Sequence, residues 1–148
     1  MNPRSTPRMP SGFTLVEVLI VMVIMTILLM VVLPSYREAV QRGHRADART
    51  ALMTAAQLLE RQFTVNNTYC PPAGCSANPL PDAMRHVPPT GTPVYTITVT
   101  DLGVDRYTLN ATPTDPGPVA GDACGRLTLN STNERGQERG TQAQCWRR

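Results

Sequence analysis

The sequence predicts an α+β fold: a long N-terminal transmembrane helix that continues into a head domain closed by an antiparallel β-meander. Three observations predict it. Residues 13 to 33 form an apolar run that holds one charged side chain, Glu17. Beyond Pro34, Ala48, Ala51, Leu52, Ala55, Leu58 and Leu59 recur at the i, i+3, i+4, i+7 spacing of one buried helical stripe. From Val94 onward, β-branched residues alternate in short runs separated by Gly- and Asp-containing turns.

The apolar run is the first element. Its 21 residues span about 31 Å as a helix, the thickness of a bilayer's hydrocarbon core. Arg4 and Arg8 precede it with no acidic residue in 1–12, so the positive-inside rule keeps the N-terminus cytoplasmic and places the rest of the chain outside the cytoplasm. A secretory signal is excluded by order: the small residue Gly12 lies before the apolar region, and Leu33-Pro34-Ser35 has no A-x-A pattern. Glu17 needs a neutralising partner, because a carboxylate at mid-bilayer costs about 2.5–3.5 kcal/mol even on the lenient insertion scale. Cleavage after Gly12 would supply one: the new ammonium on Phe13 would lie about 6 Å along the helix from Glu17, or against Glu17 of a staggered neighbouring chain.

Residues 11–20, Ser-Gly-Phe-Thr-Leu-Val-Glu-Val-Leu-Ile, resemble the class III signal of the type IV pilin and pseudopilin family. The resemblance implies a leader of residues 1–12 removed by a prepilin peptidase, N-methylation of Phe13, and Glu17 as the assembly carboxylate. It also implies a filament-core helix half at 13–33 and a periplasmic head at 34–148. A single-span anchor that merely carries Glu17 is the rival reading, disfavoured because intramembrane acids rarely occur without function.

The amphipathic helix half is expected over 34–63, with Arg42, Arg45 and Arg49 on its polar face. Pro34 deletes a helical hydrogen bond and Gly43 weakens the helix, which predicts a bend or local melting near 34–43. Residues 64–93 hold seven of the 14 prolines and the first two cysteines, and read as one long loop. Strands follow over 94–100 and 106–112 with a turn at 101–105, then over 126–130 with a turn at 132–136.

The four cysteines lie on the oxidising side of the membrane, so disulfides are expected, and three pairings are open. The Pro71-Pro72-Ala73-Gly74 gap favours Cys70 with Cys75, leaving Cys124 with Cys145. Their spacing is not that of a zinc ribbon, and no metal or cofactor is expected. The tail resembles PilE-type minor pilins in Cys124-Gly125-Arg126-Leu127-Thr128-Leu129 and Cys145-Trp146.

Catalysis lacks a motif: His44 and His86 belong to no His-Glu-x-x-His, and there is no nucleophile elbow or phosphate loop. Both histidines read as surface residues. The aspartates at 82, 101, 105, 115 and 122 lie in or beside turns, without the oxygen spacing of a calcium loop. Net charge is +3, and all 14 basic residues are arginine. Arg135, Arg139, Arg147 and Arg148 gather near Trp146, a set suited to phosphate contact and base stacking. Glu134 and Glu138 dilute that set, and the modest net charge favours a solvated polar end.

The resulting expectation is a structural subunit rather than an enzyme: a minor pilin of a type IV pilus, serving adhesion, twitching motility or DNA uptake. Its partners would be prepilin peptidase, other major and minor pilins, the pilus assembly machinery and the inner membrane. A type II secretion pseudopilin and a pilus-associated DNA-uptake receptor are the alternatives.

Overall fold

The computed structural model describes residues 12–147, which divide at Glu38 and Ala39 into two compact units. Helix α1 runs Leu15–Asn66. It starts where the Thr14 hydroxyl accepts the Glu17 N–H at 3.3 Å, an N-cap bond. It stops at Asn67, whose left-handed φ of 54° and N–H bond to the Phe63 carbonyl at 2.7 Å make an αL cap. Local melting around Pro34 and Gly43 does not occur: residues 15–66 are helical throughout. Proline removes only its own N–H from the ladder, and the neighbouring i to i−4 bonds carry the helix across.

The head holds a five-stranded antiparallel meander in the order β1 His86–Val87, β2 Tyr95–Thr100, β3 Thr108–Pro113, β4 Leu127–Asn130 and β5 Arg135–Gln137. A short helix, α2, follows at Gln142–Trp146. One face of the sheet presents Tyr95, Ile97, Leu109, Ala111, Leu127 and Leu129 to a helix stripe of Ala48, Leu52, Ala55 and Leu59, all buried in one core cluster. Each buried leucine contributes about 1.5–3 kcal/mol relative to exposure. The small Ala48 and Ala55 let the helix lie close to the strands.

The stretch 64–93 is not one loop. It contains the last helical residues, a 3-10 turn at Asp82–Met84, and β1. Strand β1 tolerates its proline-rich surroundings because it lies at the sheet edge. Its inward bonds run from Ile97 N–H to the Arg85 carbonyl at 2.8 Å and from Val94 N–H to the Val87 carbonyl at 2.7 Å. Where a plain turn was expected at 132–136, β5 begins at Arg135.

Beside the core, the Glu60 carboxylate accepts hydrogen bonds from the hydroxyls of Tyr69 at 3.1 Å and Tyr107 at 2.9 Å. Tyr69 stacks on Phe63 and meets Tyr107 edge-on, so the helix end, the loop and β3 are tied together. Burial, then the Glu60 carboxylate, pushes both phenols above their ordinary value. Burial followed by the nearby Asp122 charge pushes Tyr95 up to about 12, partly offset by Arg45. A phenol whose folded pKa is raised stabilises the fold below its unfolded value near 10, and that contribution is lost as pH rises towards the folded value. Head stability should therefore fall between pH 10 and 12 by up to about 1.4 kcal/mol per pH unit through Tyr95. Urea unfolding at stepped pH measures it, and Tyr95→Phe should flatten the slope.

Candidate functional site

Within the N-terminal unit the first described residues are Gly12 and Phe13, both exposed and outside the helix. A Cβ at Gly12 would meet nothing within 4 Å, so the chain's own packing does not require glycine there. Glu17 lies in the first turn, where the helix dipole favours a carboxylate. From Leu15 to Leu33 every side chain is exposed, on all sides of the helix. An all-round apolar surface of this kind needs lipid or neighbouring helices to cover it. The leader residues 1–11, including Arg4 and Arg8, lie outside the described residues.

The second group of candidates is organised in the head by the Cys124–Cys145 disulfide; Cys70 is bonded to Cys75. Arg45 donates to Asp122 Oδ1 at 3.0 Å and to the Cys124 sulfur at 3.5 Å. The second oxygen of Asp122 accepts the Cys124 N–H at 3.2 Å. Both Arg45 and Asp122 are buried, which corrects the placing of Arg45 on the polar face with Arg42 and Arg49. The signal was present: Arg45 precedes Ala48 by three residues and Leu52 by seven, in line with the buried stripe.

Three exposed arginines hang from the same disulfide. Arg126 lies two residues past Cys124, and its N–H bonds Glu138 Oε2 at 3.1 Å. The Arg139 carbonyl lies 3.5 Å from the Cys145 sulfur. Arg147 lies two residues past Cys145, and its carbonyl accepts a 2.6 Å bond from Arg49 of α1. Gly125 permits this crowding: with φ +60°, a Cβ there would fall 2.8 Å from Glu138 Oε2 and 3.2 Å from Arg139 Nε. The fold thus brings arginines from four chain segments to the disulfide, Arg49 through its guanidinium and Arg126, Arg139 and Arg147 through their backbones, and of these the sequence pointed to Arg139 and Arg147 but not to Arg49 or Arg126.

Trp146 is not available for base stacking. It is 7 % exposed, its Nε1 donates to the Gly136 carbonyl at 3.0 Å, and the Arg135 guanidinium sits 5.6 Å above its ring. Packing against the β5 edge buries more apolar area than an exposed ring would keep for a ligand. Arg148 lies outside the described residues. His86 is exposed on β1 and His44 half-buried on α1. Among the described residues no group of three His, Cys, Asp or Glu side chains is placed to hold a metal ion.

Comparison with known proteins gives two family matches. Residues 34–128 match the model described as type IV minor pilin ComP, DNA uptake sequence receptor, and residues 7–33 match the prokaryotic N-terminal methylation motif. The structure resembles the crystal structure of the non-core minor pilin PilV of Neisseria meningitidis. The TM-score is 0.50 at 21 % identity, covering 72 % of this chain and 94 % of that one, a likeness of fold. No curated protein matches the sequence.

Proposed function

The chain belongs to the type IV minor pilin family whose model it matches over residues 34–128, and from that premise we propose a pilus subunit that is cleaved after Gly12, methylated on Phe13 and equipped to bind DNA. The family is structural. The observation that carries the reading is the continuity of the two matches: a methylation motif ends at residue 33 and the minor-pilin match begins at 34.

The N-terminal residues supply the assembly chemistry. The chain waits in the inner membrane with its head in the periplasm, held by the apolar helix. Removal of residues 1–12 creates the Phe13 ammonium, and in the fibre Glu17 neutralises such an ammonium within the low-dielectric core. Methylation keeps the positive charge and adds apolar surface.

DNA binding is the specific task that the family's description suggests, and the arginines around the Cys124–Cys145 disulfide support it. Arg126, Arg139 and Arg147 are exposed, held by backbone contacts, and their guanidinium groups are not consumed by the buried pair of Arg45 and Asp122. Fluorescence anisotropy of a labelled duplex with the full chain in detergent tests this reading. Affinity should fall steeply with salt, and a variant carrying R126A, R139A and R147A should lower the slope of log K against log salt by about 2–3, near 0.9 per lost phosphate contact. A wild-type chain that binds no duplex at low salt, or a variant with an unchanged slope, would remove this assignment.

A further inference from the structure

Two opposite charges close the apolar part of α1. Glu17 lies in its first turn, the next charged residue along the helix is Arg37, and both belong to the N-terminal unit. They stand 20 residues apart, about 30 Å along a helix, which is the thickness of a bilayer's hydrocarbon core. The apolar run 13–33 has nearly the same length, but centred in the bilayer it leaves Glu17 about one turn inside the hydrocarbon. Moving the chain one turn toward the cytoplasm brings Glu17 out and carries Pro34, Ser35 and Tyr36 to the outer boundary.

This register costs little inside and is fixed at its ends. The hydroxyl deep in the span, on Thr26, donates to the Met22 carbonyl at 2.8 Å and needs no other partner. At the outer end Tyr36 is 66 % exposed and Arg37 is exposed. Among the described residues neither the Tyr36 hydroxyl, nor the Arg37 guanidinium, nor the Glu17 carboxylate has a partner. Glu38 and Arg42, which follow, are already engaged, so Arg37 is the uncommitted charge where the span ends. Burying that guanidinium at mid-bilayer would cost about as much as burying Glu17, so the chain stops sliding when both reach a boundary.

Resting on the reading of this helix as a membrane span, we propose that Tyr36 and Arg37 bind the anionic headgroups of phospholipids in the outer leaflet of the inner membrane. This contact, with Glu17 at the opposite boundary, sets the depth at which the chain waits before assembly. The chemistry matches at each end. A tyrosine ring is favoured where hydrocarbon meets headgroup, and a guanidinium bonds phosphate through two parallel N–H groups. One arginine near an anionic surface is worth about a fivefold enrichment of the charged lipid. At the cytoplasmic boundary the Glu17 carboxylate reaches water, so the waiting chain needs no counter-charge there. That need arises when the helix leaves the bilayer for a fibre core.

The test uses the full chain in vesicles of phosphatidylcholine and phosphatidylglycerol, with one lipid at a time brominated at the same acyl depth. Tyr36→Trp keeps an interfacial aromatic and supplies the reporter, while the wild type, whose one tryptophan is buried in the head, is the blank. Brominated phosphatidylglycerol should quench the reporter as though enriched about fivefold over phosphatidylcholine. Adding Arg37→Gln should bring the two lipids to parity, and Arg37→Lys should keep most of the preference. Phe13→Trp reports the other end: shallow bromines should quench it and deep ones should not, and Glu17→Leu should draw it about 5 Å deeper, one helical turn. Equal quenching by both lipids with Arg37 present, or a preference that survives Arg37→Gln, overturns the headgroup contact. A preference that vanishes as the protein is diluted in lipid shows a second copy on this face and overturns it as well. A Phe13→Trp depth unmoved by Glu17→Leu overturns the register. Should neither reporter be quenched by any brominated lipid, the membrane-span reading itself falls, and this one with it.

Discussion

Replacing Asp122 by alanine is expected to destabilise the head by about 3–5 kcal/mol, the largest effect of any single polar substitution in it. The reason is what remains behind. Arg45 and Asp122 are 7 % and 1 % exposed, and the carboxylate is the group that balances the guanidinium inside the core. Without it, a full positive charge stays in a low-dielectric setting among Tyr95, the Cys124 sulfur and the helix stripe. Asp122 also accepts the Cys124 N–H, so the turn leading into the disulfide loses its support. Asp122→Asn keeps part of that bond and should cost less. The double variant R45M, D122L removes both charges and should recover much of the loss, because apolar replacement of a buried pair is often neutral or stabilising. Urea unfolding of the full chain in detergent, followed through Trp146, measures all three. A loss below about 1 kcal/mol for the alanine variant would mean that Arg45 finds water instead.

Glu17→Leu should separate processing from assembly. Removing the carboxylate makes the span more apolar, so membrane insertion and cleavage after Gly12 should persist. The new Phe13 ammonium would then enter the fibre core without a counter-charge, a cost of several kcal/mol by desolvation. Each 1.4 kcal/mol is a factor of ten, so recovery of the subunit in sheared pili should fall at least tenfold while its mature mass is unchanged. Gly12→Leu should fail one step earlier, leaving a chain that retains residues 1–12. Intact mass of the membrane and pilus fractions distinguishes the two. Equal recovery of the Glu17→Leu chain in pili would show that the ammonium is neutralised by another group.

Much of the fold was legible because its strongest signals are periodic. The apolar run, the alanine–leucine stripe and the β-branched strands each repeat with the period of their element. What was missed lacks such a period. Arg45 is charged, and charge on a helix ordinarily marks the wet face, so its alignment with Ala48 and Leu52 was outweighed until Asp122 was seen opposite it. Strand β1 is two residues among prolines, and β5 reads Arg-Gly-Gln, with no apolar alternation to announce it. Helix α2 is five residues long, below the reach of amphipathic periodicity, although Thr141 and Gln144 form a capping box that marks its start. Trp146 looked like a ligand surface because arginines surround it in sequence, whereas its neighbour Cys145, fully buried and bonded to Cys124, draws it inward. The methylation motif is contiguous in sequence and so was legible, whereas arginines brought to a disulfide from distant segments carry no such pattern.

The short helix α2 has a consequence for how copies of this protein can join. A five-stranded sheet has two edges, and each is a template on which another chain's strand can grow. Here β1 offers two residues before Pro88, and the opposite edge is occupied: Trp146 takes the Gly136 carbonyl and α2 lies against β5. Crowded side by side by their helices, the heads therefore have little free backbone with which to propagate strand pairing from one copy to the next. A fibre joined through the helices alone would then come apart without any sheet being broken, unlike an amyloid, whose strands pair from copy to copy.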